Sequence, residues 1–403
     1  MSGSRASRIH KFNLVALKHQ QRAVTPRYDG VDLLRGFSIL AVILLHTYIR
    51  MNFAGVSIQK MLPYWLFHLL FRNGGNGVTV FFAISGFLIT FTSLRRFGSL
   101  AEIRPRTFYR IRFARIAPLL LLLLLALSIL HLTHASGFRI SAKVATLPQA
   151  LFAALTFHIN WLEASAHWYL PANWDVLWSL SVEEVFYLFF PLMTFLLFRV
   201  KWGRQLFIAL LLGFVAMGPF ARTVWTINND IWRDSSYLGG MDSIALGCLC
   251  AMLTAHLLRS NNPGQSRRYL LIALEIIGAA LILWIALWPR WHWMRYLGRS
   301  GLDDNLLALG TCLVMLASVL CKSVGSRWTA PIRWFGRHSY EVYMTHEFIV
   351  VWATLLYVKL HRGPLSLWVI AILSMAAFLG FLIARYFSEP MNRCLRGAAP
   401  PQR

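Results

Sequence analysis

Ten apolar runs, each long enough at about 20 residues to cross a bilayer, leave this chain few ways to fold. They fall near 33–50, 77–94, 112–131, 176–198, 205–222, 238–257, 268–288, 305–321, 339–358 and 365–387. Hydrocarbon offers no water to satisfy backbone polar groups, so runs of this length must be helices. The expected fold class is an all-α membrane protein, a polytopic bundle of about ten transmembrane helices. The 403 residues are 57% hydrophobic and only 14% charged, where soluble domains carry about 25%. Cys248, Cys250, Cys312, Cys321 and Cys394 show no metal-ligand spacing, and they read as small packing residues.

A net charge of +24 can signal nucleic acid, but no soluble basic domain carries it here. Most Lys and Arg instead fall in alternate connecting segments, which is the signature of membrane topology. That bias places both termini in the cytosol. The chain divides into a cytosolic basic tail over 1–31, a membrane domain over 32–390 and a short cytosolic tail over 391–403. The first thirty residues lack an apolar h-region, so they read as a tail and not as a cleaved signal. The outer segments 55–76 and 132–175 are rich in aromatic residues, and Met61–Arg72 and Leu147–Leu162 suit amphipathic or re-entrant helices or aromatic-belt anchors.

Polar residues inside apolar runs carry the functional signal. Arg35 and His46 share a face of the first helix and stand roughly 16 Å apart along it. An imidazole in hydrocarbon marks either a functional site or a hydrogen-bonded packing residue. Ser85-Gly86 in the second run reads as small-residue packing or as a polar group beside a buried histidine. Arg110, Arg112 and Arg115 lead into the third run. Arg112 and Arg115 share a face, and their guanidinium forks suit either topology or a phosphorylated ligand.

In the fourth run Ser179, Glu183 and Tyr187 recur every four residues and form a polar stripe, with Glu184 pointing elsewhere. Buried carboxylates are costly unless paired, protonated or open to a cavity. Counted from the helix starts, His46, Ser85 and Glu183 come to a similar level, roughly 10 Å below the outer surface. Asp242 early in the sixth run is either a site residue or paired with an arginine or a helix end. His346 in the ninth run lies about two turns from its helix start, too far in depth to share a proton with His46. Glu389-Pro390 reads as a helix stop. His131, His134, His158 and His167 are too loosely spaced for a metal site, and no metal is expected.

Six ordered stretches make the chain resemble the acyltransferase-3 family of integral membrane acyltransferases. They are Asp32–Arg35 with His46, Phe81–Phe87, Phe108–Pro118, Trp178–Tyr187, Gly336–His346 and Ser388–Pro390. The resemblance implies O-acyl transfer, usually of acetyl from acetyl-CoA, to a hydroxyl of a carbohydrate or glycolipid such as lipopolysaccharide or another cell-surface glycan. By position it makes His46 the catalytic histidine and Arg35 its partner, with Arg110, Arg112 and Arg115 near the donor. Glu183 is expected to orient or stabilise the imidazolium and Ser85 to shape the pocket, with Ser179, Tyr187, Asp242 and His346 as further pocket residues. The family often has an arginine two residues before the sixth-run acid, where this chain has Gly240. No bound cofactor is implied, only acyl-CoA as co-substrate, and the setting is a bacterial inner membrane. A transporter or flippase of an acyl-carrying or anionic substrate is the competing reading, because buried ionisable residues also line transport paths.

Overall fold

A computed structural model of the chain describes residues 28–225, 228–259, 265–287 and 300–397. Helix α1 (Asp29–Phe53) is followed by the short α2 (Tyr64–Phe71), which abuts α3 (Gly74–Phe97). Helix α4 (Pro105–Leu132) leads into an excursion with two short helices, α5 (Leu147–Leu155) and α6 (Ile159–Ala166). Next come α7 (Leu177–Leu197), α8 (Gly203–Thr223), α9 (Asp230–Ser235), α10 (Tyr237–Arg259), α11 (Gln265–Ala286) and α12 (Asp303–Leu320). Helices α13 (Ala330–Arg337), α14 (Ser339–Leu360) and α15 (Leu365–Ile383) follow, then a π-helical stretch Ala384–Ser388 and α16 (Glu389–Arg396). Among the described residues there is no strand.

Nine helical stretches among the described residues are long and apolar enough to cross a membrane. Ten were expected. The remaining run is α14, a 22-residue helix whose sequence includes Glu341, His346 and Glu347, and these polar side chains dilute its apolarity. All ten expected runs are therefore helical where they are described.

Close backbone crossings set the positions of these helices. Gly86 of α3 faces the Ile244 carbonyl of α10, and Gly247 of α10 faces the Ala83 carbonyl of α3, with no room for a Cβ at either place. Gly36 of α1 and Gly336 of α13 interlock in the same way, against the carbonyls of Ile332 and Asp32. Small residues allow this approach, and van der Waals packing then holds helices together in lipid.

That second crossing lays helix α13, which carries Arg333 and Arg337, against α1. Arg333 is buried and donates to the Ser326 carbonyl at 3.0 Å and to Thr329 Oγ1 at 2.7 Å. Ser339 at the start of α14 is buried, so that start lies inside the bundle and not at its edge. Glu389-Pro390 is no stop, because helical backbone continues from Leu365 to Arg396. Pro390 directly follows the π-helical stretch, and inside continuous helix a proline removes one backbone hydrogen bond.

The aromatic excursion packs as part of the bundle. Phe138 and Trp174 are fully buried and join residues of α4 and α14 in one apolar cluster. Helices form over Tyr64–Phe71, Leu147–Leu155 and Ile159–Ala166, matching the short helices expected there. Glu163 of α6 is buried and accepts a hydrogen bond from the Leu170 amide at 2.8 Å. Burial, together with the nearby Asp175 carboxylate, holds the Glu163 carboxyl well above the usual carboxylate range.

Candidate active site

His46 of α1 meets α14. Its Nδ1 lies 2.6 Å from His346 Nε2 and 3.2 Å from Glu347 Oε1. The two imidazoles are parallel, with an interplanar angle of 4°. Glu347 Oε2 accepts from Arg50 Nε at 3.0 Å, so one carboxylate ties His46 to an arginine one turn further along the same helix. The His46 side chain is 15% exposed while Glu347 is 1% exposed, which leaves the histidine as the open member of the group.

The partners fix the tautomers. His346 Nδ1 lies 2.7 Å from the Tyr343 carbonyl, which can only accept, so Nδ1 carries hydrogen and Nε2 of the neutral ring is a lone pair. The shared hydrogen then belongs to His46 Nδ1, and His46 Nε2 is left as a free base. A base whose other nitrogen is oriented by a carboxylate is the arrangement that activates hydroxyl nucleophiles.

His46, His346 and Glu347 also offer three ligand atoms within 4.8 Å of one another, as a metal ion would need. Ligands standing about 2.0–2.1 Å from a tetrahedral zinc ion are about 3.3 Å apart. The 2.6 Å between the two nitrogens is shorter and fits a shared hydrogen.

The depth expected for His346 was wrong, and α13 explains why. Because α14 starts only after α13 has crossed α1 at Gly36 and Gly336, a count of residues from the membrane edge does not give its depth, and His346 comes level with His46. Glu183 is likewise not the carboxylate at His46; Glu347 is. Neither Glu347 nor Arg50 was singled out in the sequence, although Arg50 follows His46 by four positions and Glu347 adjoins His346.

Glu183 belongs to a neighbouring polar group along the expected stripe. Tyr187 Oη lies 2.6 Å from Ser85 Oγ and 3.4 Å from Glu183 Oε2. Ser179 Oγ lies 2.7 Å from Tyr343 Oη, and Tyr343 also supplies the carbonyl that holds His346. The stripe and the histidine pair are thus joined through Tyr343. The packing reading of Ser85-Gly86 holds, since Gly86 makes the close crossing, whereas Ser85 joins Tyr187 and not a histidine.

The arginines gather toward the end of the bundle where α1 begins. The Arg112 guanidinium lies 3.9 Å from the Tyr187 ring centre, on the stripe, and that of Arg115 lies 6.0 Å from Tyr340 of α14. Arg35 interacts electrostatically with Arg115, Asp32, Glu341 and Glu183. Arg110 is exposed. Among the described residues none of Arg35, Arg110, Arg112 and Arg115 forms an ion pair within 4.0 Å. These are cations held without a direct counter-ion.

Asp242 does not join the site. Arg222 of α8 donates to Asp242 Oδ2 at 2.7 Å, to the Gly301 carbonyl at 2.6 Å and to Asn305 Oδ1 at 2.8 Å, and it lies 3.3 Å from Asp304 Oδ2. This is a clamp joining α8, α10 and α12. A Cβ at Gly240 would press on Phe82 and Val182. An arginine at that position would clash, and here the acid finds its arginine on α8 instead.

The chain is a helical membrane bundle with a histidine pair inside it and, among the described residues, arginines without a direct counter-ion at one end. Residues 28–385 match the family described as "Acyltransferase domain", and the chain belongs to that family. It is an integral, multi-pass membrane protein. Its curated relatives include the O-acetyltransferase OatA of Staphylococcus aureus strain NCTC 8325 / PS 47, 25% identical over 399 residues, covering 93% of this chain and 59% of that protein. OatA of strain COL aligns with the same identity and coverage. The chain thus spans about three-fifths of the length of these relatives. No solved structure matches it.

Proposed function

We propose that the protein is an O-acyltransferase moving an acyl group, acetyl in the simplest case, from acyl-CoA to a hydroxyl of a cell-surface carbohydrate or glycolipid. The observation that carries this reading is the His46–Glu347 contact at 3.2 Å, which leaves His46 Nε2 free to take a proton. The family membership and the names of the relatives point the same way and favour transfer over transport.

In this mechanism His46 Nε2 removes the acceptor hydroxyl proton as the oxygen attacks the thioester carbonyl. Glu347 stabilises the imidazolium that forms, Arg50 holds Glu347, and His346 keeps the Nδ1 hydrogen in place. The tetrahedral intermediate collapses by breaking the C–S bond. His46 then returns its proton to the departing thiolate, so ester and CoA thiol are the only products and the enzyme is regenerated.

Arg35, Arg112 and Arg115 supply charge-assisted bonds to the donor's phosphates. With both termini in the cytosol these arginines face the compartment that holds acyl-CoA, as the charge bias expects for a bacterial inner membrane. Arg35 stands about 16 Å from His46, so it serves the donor and not the base. Asp242 is assigned to the clamp.

The test is transfer of labelled acetyl from acetyl-CoA to purified cell-surface glycans by the protein in nanodiscs, wild type beside His46→Ala. Label should appear on glycan only with His46 intact. Wild-type transfer by folded His46→Ala would overturn the assignment.

A further inference from the structure

A cavity lies at the arginine-rich end, away from His46. It has a volume of about 320 Å³ and is lined by Trp334, Arg337, His338, Phe381, Arg385 and Glu389, from α13, α15, the π-helical stretch and α16. That is within the range of about 300–1,000 Å³ for ligand sites.

Its walls combine rings and cations. The Trp334 ring centre is 4.6 Å from His338 and 6.1 Å from Phe381, and His338 is 6.0 Å from Phe381. His338 Nδ1 donates to the Trp334 carbonyl at 3.0 Å, which leaves Nε2 of the neutral ring as an acceptor. Arg337 lies 3.6 Å from Asp32. Arg385 forms no ion pair among the described residues, because the lining acid Glu389 is taken by Arg393 at 2.9 Å.

The backbone beside the cavity is unusual as well. Residues Ala384–Ser388 are π-helical, a form that is rare and concentrates at functional sites. An aromatic slot with an uncommitted arginine is chemistry for a planar heterocycle carrying phosphate.

We propose that this cavity binds the purine and 3′-phosphate of the acyl-CoA donor, with the purine against Trp334 and Phe381 and the phosphate on Arg385 and Arg337. The inference rests on acyl-CoA being the donor. The adenine amino group can donate to His338 Nε2. Helix α16 packs on α4, so the cavity opens at the same end as Arg112 and Arg115, which are left to receive the diphosphate. From Asp32, beside Arg337, α1 rises about 21 Å to His46 at about 1.5 Å per residue. An extended pantetheine arm covers a span of that order, which puts the thioester at the base when the nucleotide is in the cavity.

The test uses three donors and one binding probe with the full chain in nanodiscs. Arg385→Ala should raise KM for acetyl-CoA by about tenfold, the usual loss for a hydrogen bond to a charged group, with kcat unchanged. The same variant should leave KM for acetyl-3′-dephospho-CoA as in wild type. Trp334→Ala should raise KM for both nucleotides and leave acetyl-pantetheine unaffected. Adenosine 3′,5′-bisphosphate, titrated without turnover, should bind wild type and lose affinity in both variants.

Unchanged KM for acetyl-CoA in both variants, or equal effects on acetyl-pantetheine, would overturn the proposal. So would failure of the bisphosphate to bind wild type at millimolar concentration. Bisphosphate binding that depends on Trp334 and Arg385, with no transfer from any donor, would keep the nucleotide site and defeat the acyl-transfer reading instead.

Discussion

Glu347 grips two residues of the same helix at once: Oε1 stands 3.2 Å from His46 Nδ1 and Oε2 stands 3.0 Å from Arg50 Nε. His46 and Arg50 are one turn apart on α1, and Glu347 comes from α14. The carboxylate therefore supports the tautomer that His346 also favours and fixes α14 against α1 in the same contact. Glu347→Gln keeps the shape but can present an amide N–H to Nδ1, which favours the wrong tautomer. The expected result is a loss of about 10²- to 10⁴-fold in kcat, with KM for the donor unchanged and the protein folded, measured by steady-state CoA release.

Arg50 acts through Glu347 and not on substrate. Arg50→Ala should lower kcat by less than Glu347→Gln does. The double variant should be no worse than Glu347→Gln alone, since both changes act on one unit. A double-mutant cycle on kcat checks this, and additive losses would place Arg50 in a separate role.

The Arg222–Asp242 clamp is structural. Arg222→Ala leaves a buried carboxylate without its partner, so a loss of about 3–5 kcal/mol of stability is expected. Thermal unfolding in detergent reads it, and activity per folded molecule should be close to wild type for the milder Asp242→Asn. A variant that stays folded but loses transfer would move Asp242 into the site.

The crossing of α1 and α13 sets the level of His346. Gly336→Ala pushes a methyl group into the Asp32 carbonyl, an overpacking that typically costs about 1–3 kcal/mol. Folded yield should fall, and the surviving protein should lose transfer because His346 and Glu347 shift relative to His46. A surface-equivalent control, Gly75→Ala, has open space around it and should be neutral.

Glu163 gives the excursion a pH dependence with a definite sign. Its folded carboxyl titrates above the ordinary range because of burial first and Asp175 second. Stability from the protonated form is therefore full below about pH 4.5, the unfolded value, and is lost as pH rises through the folded value. Glu163→Gln keeps the acceptor for the Leu170 amide and removes the titration. Melting temperature measured from pH 5 to 9 should fall with pH more steeply in wild type than in this variant, and parallel curves would contradict the account.

Much of this was legible in the sequence, and the misses share a cause. Apolar run length located the helices, and four-residue spacing revealed the stripe of Ser179, Glu183 and Tyr187, because both follow from local geometry. Depth did not follow, since it depends on which residues interlock across helices. Nothing local shows that α13 takes up the first turns beside Asp32 and Gly36, so His346 was placed too shallow and Glu347 went unnoticed beside it. Arg50 was not singled out either, yet its spacing from His46 could have found it. Asp242 illustrates the converse: the ordinary expectation of an arginine partner held, but the partner, Arg222, lies 20 positions away, beyond any local pattern.

The most direct measurement compares three folded variants in the same assay of acetyl-CoA-dependent transfer: His46→Ala, Glu347→Gln and Glu183→Gln. His46→Ala should be inactive, Glu347→Gln should retain about 1% of kcat or less, and Glu183→Gln should lose far less than Glu347→Gln. Full activity in Glu347→Gln, with Glu183→Gln inactive, would contradict the assignment of Glu347 and return the orienting role to α7.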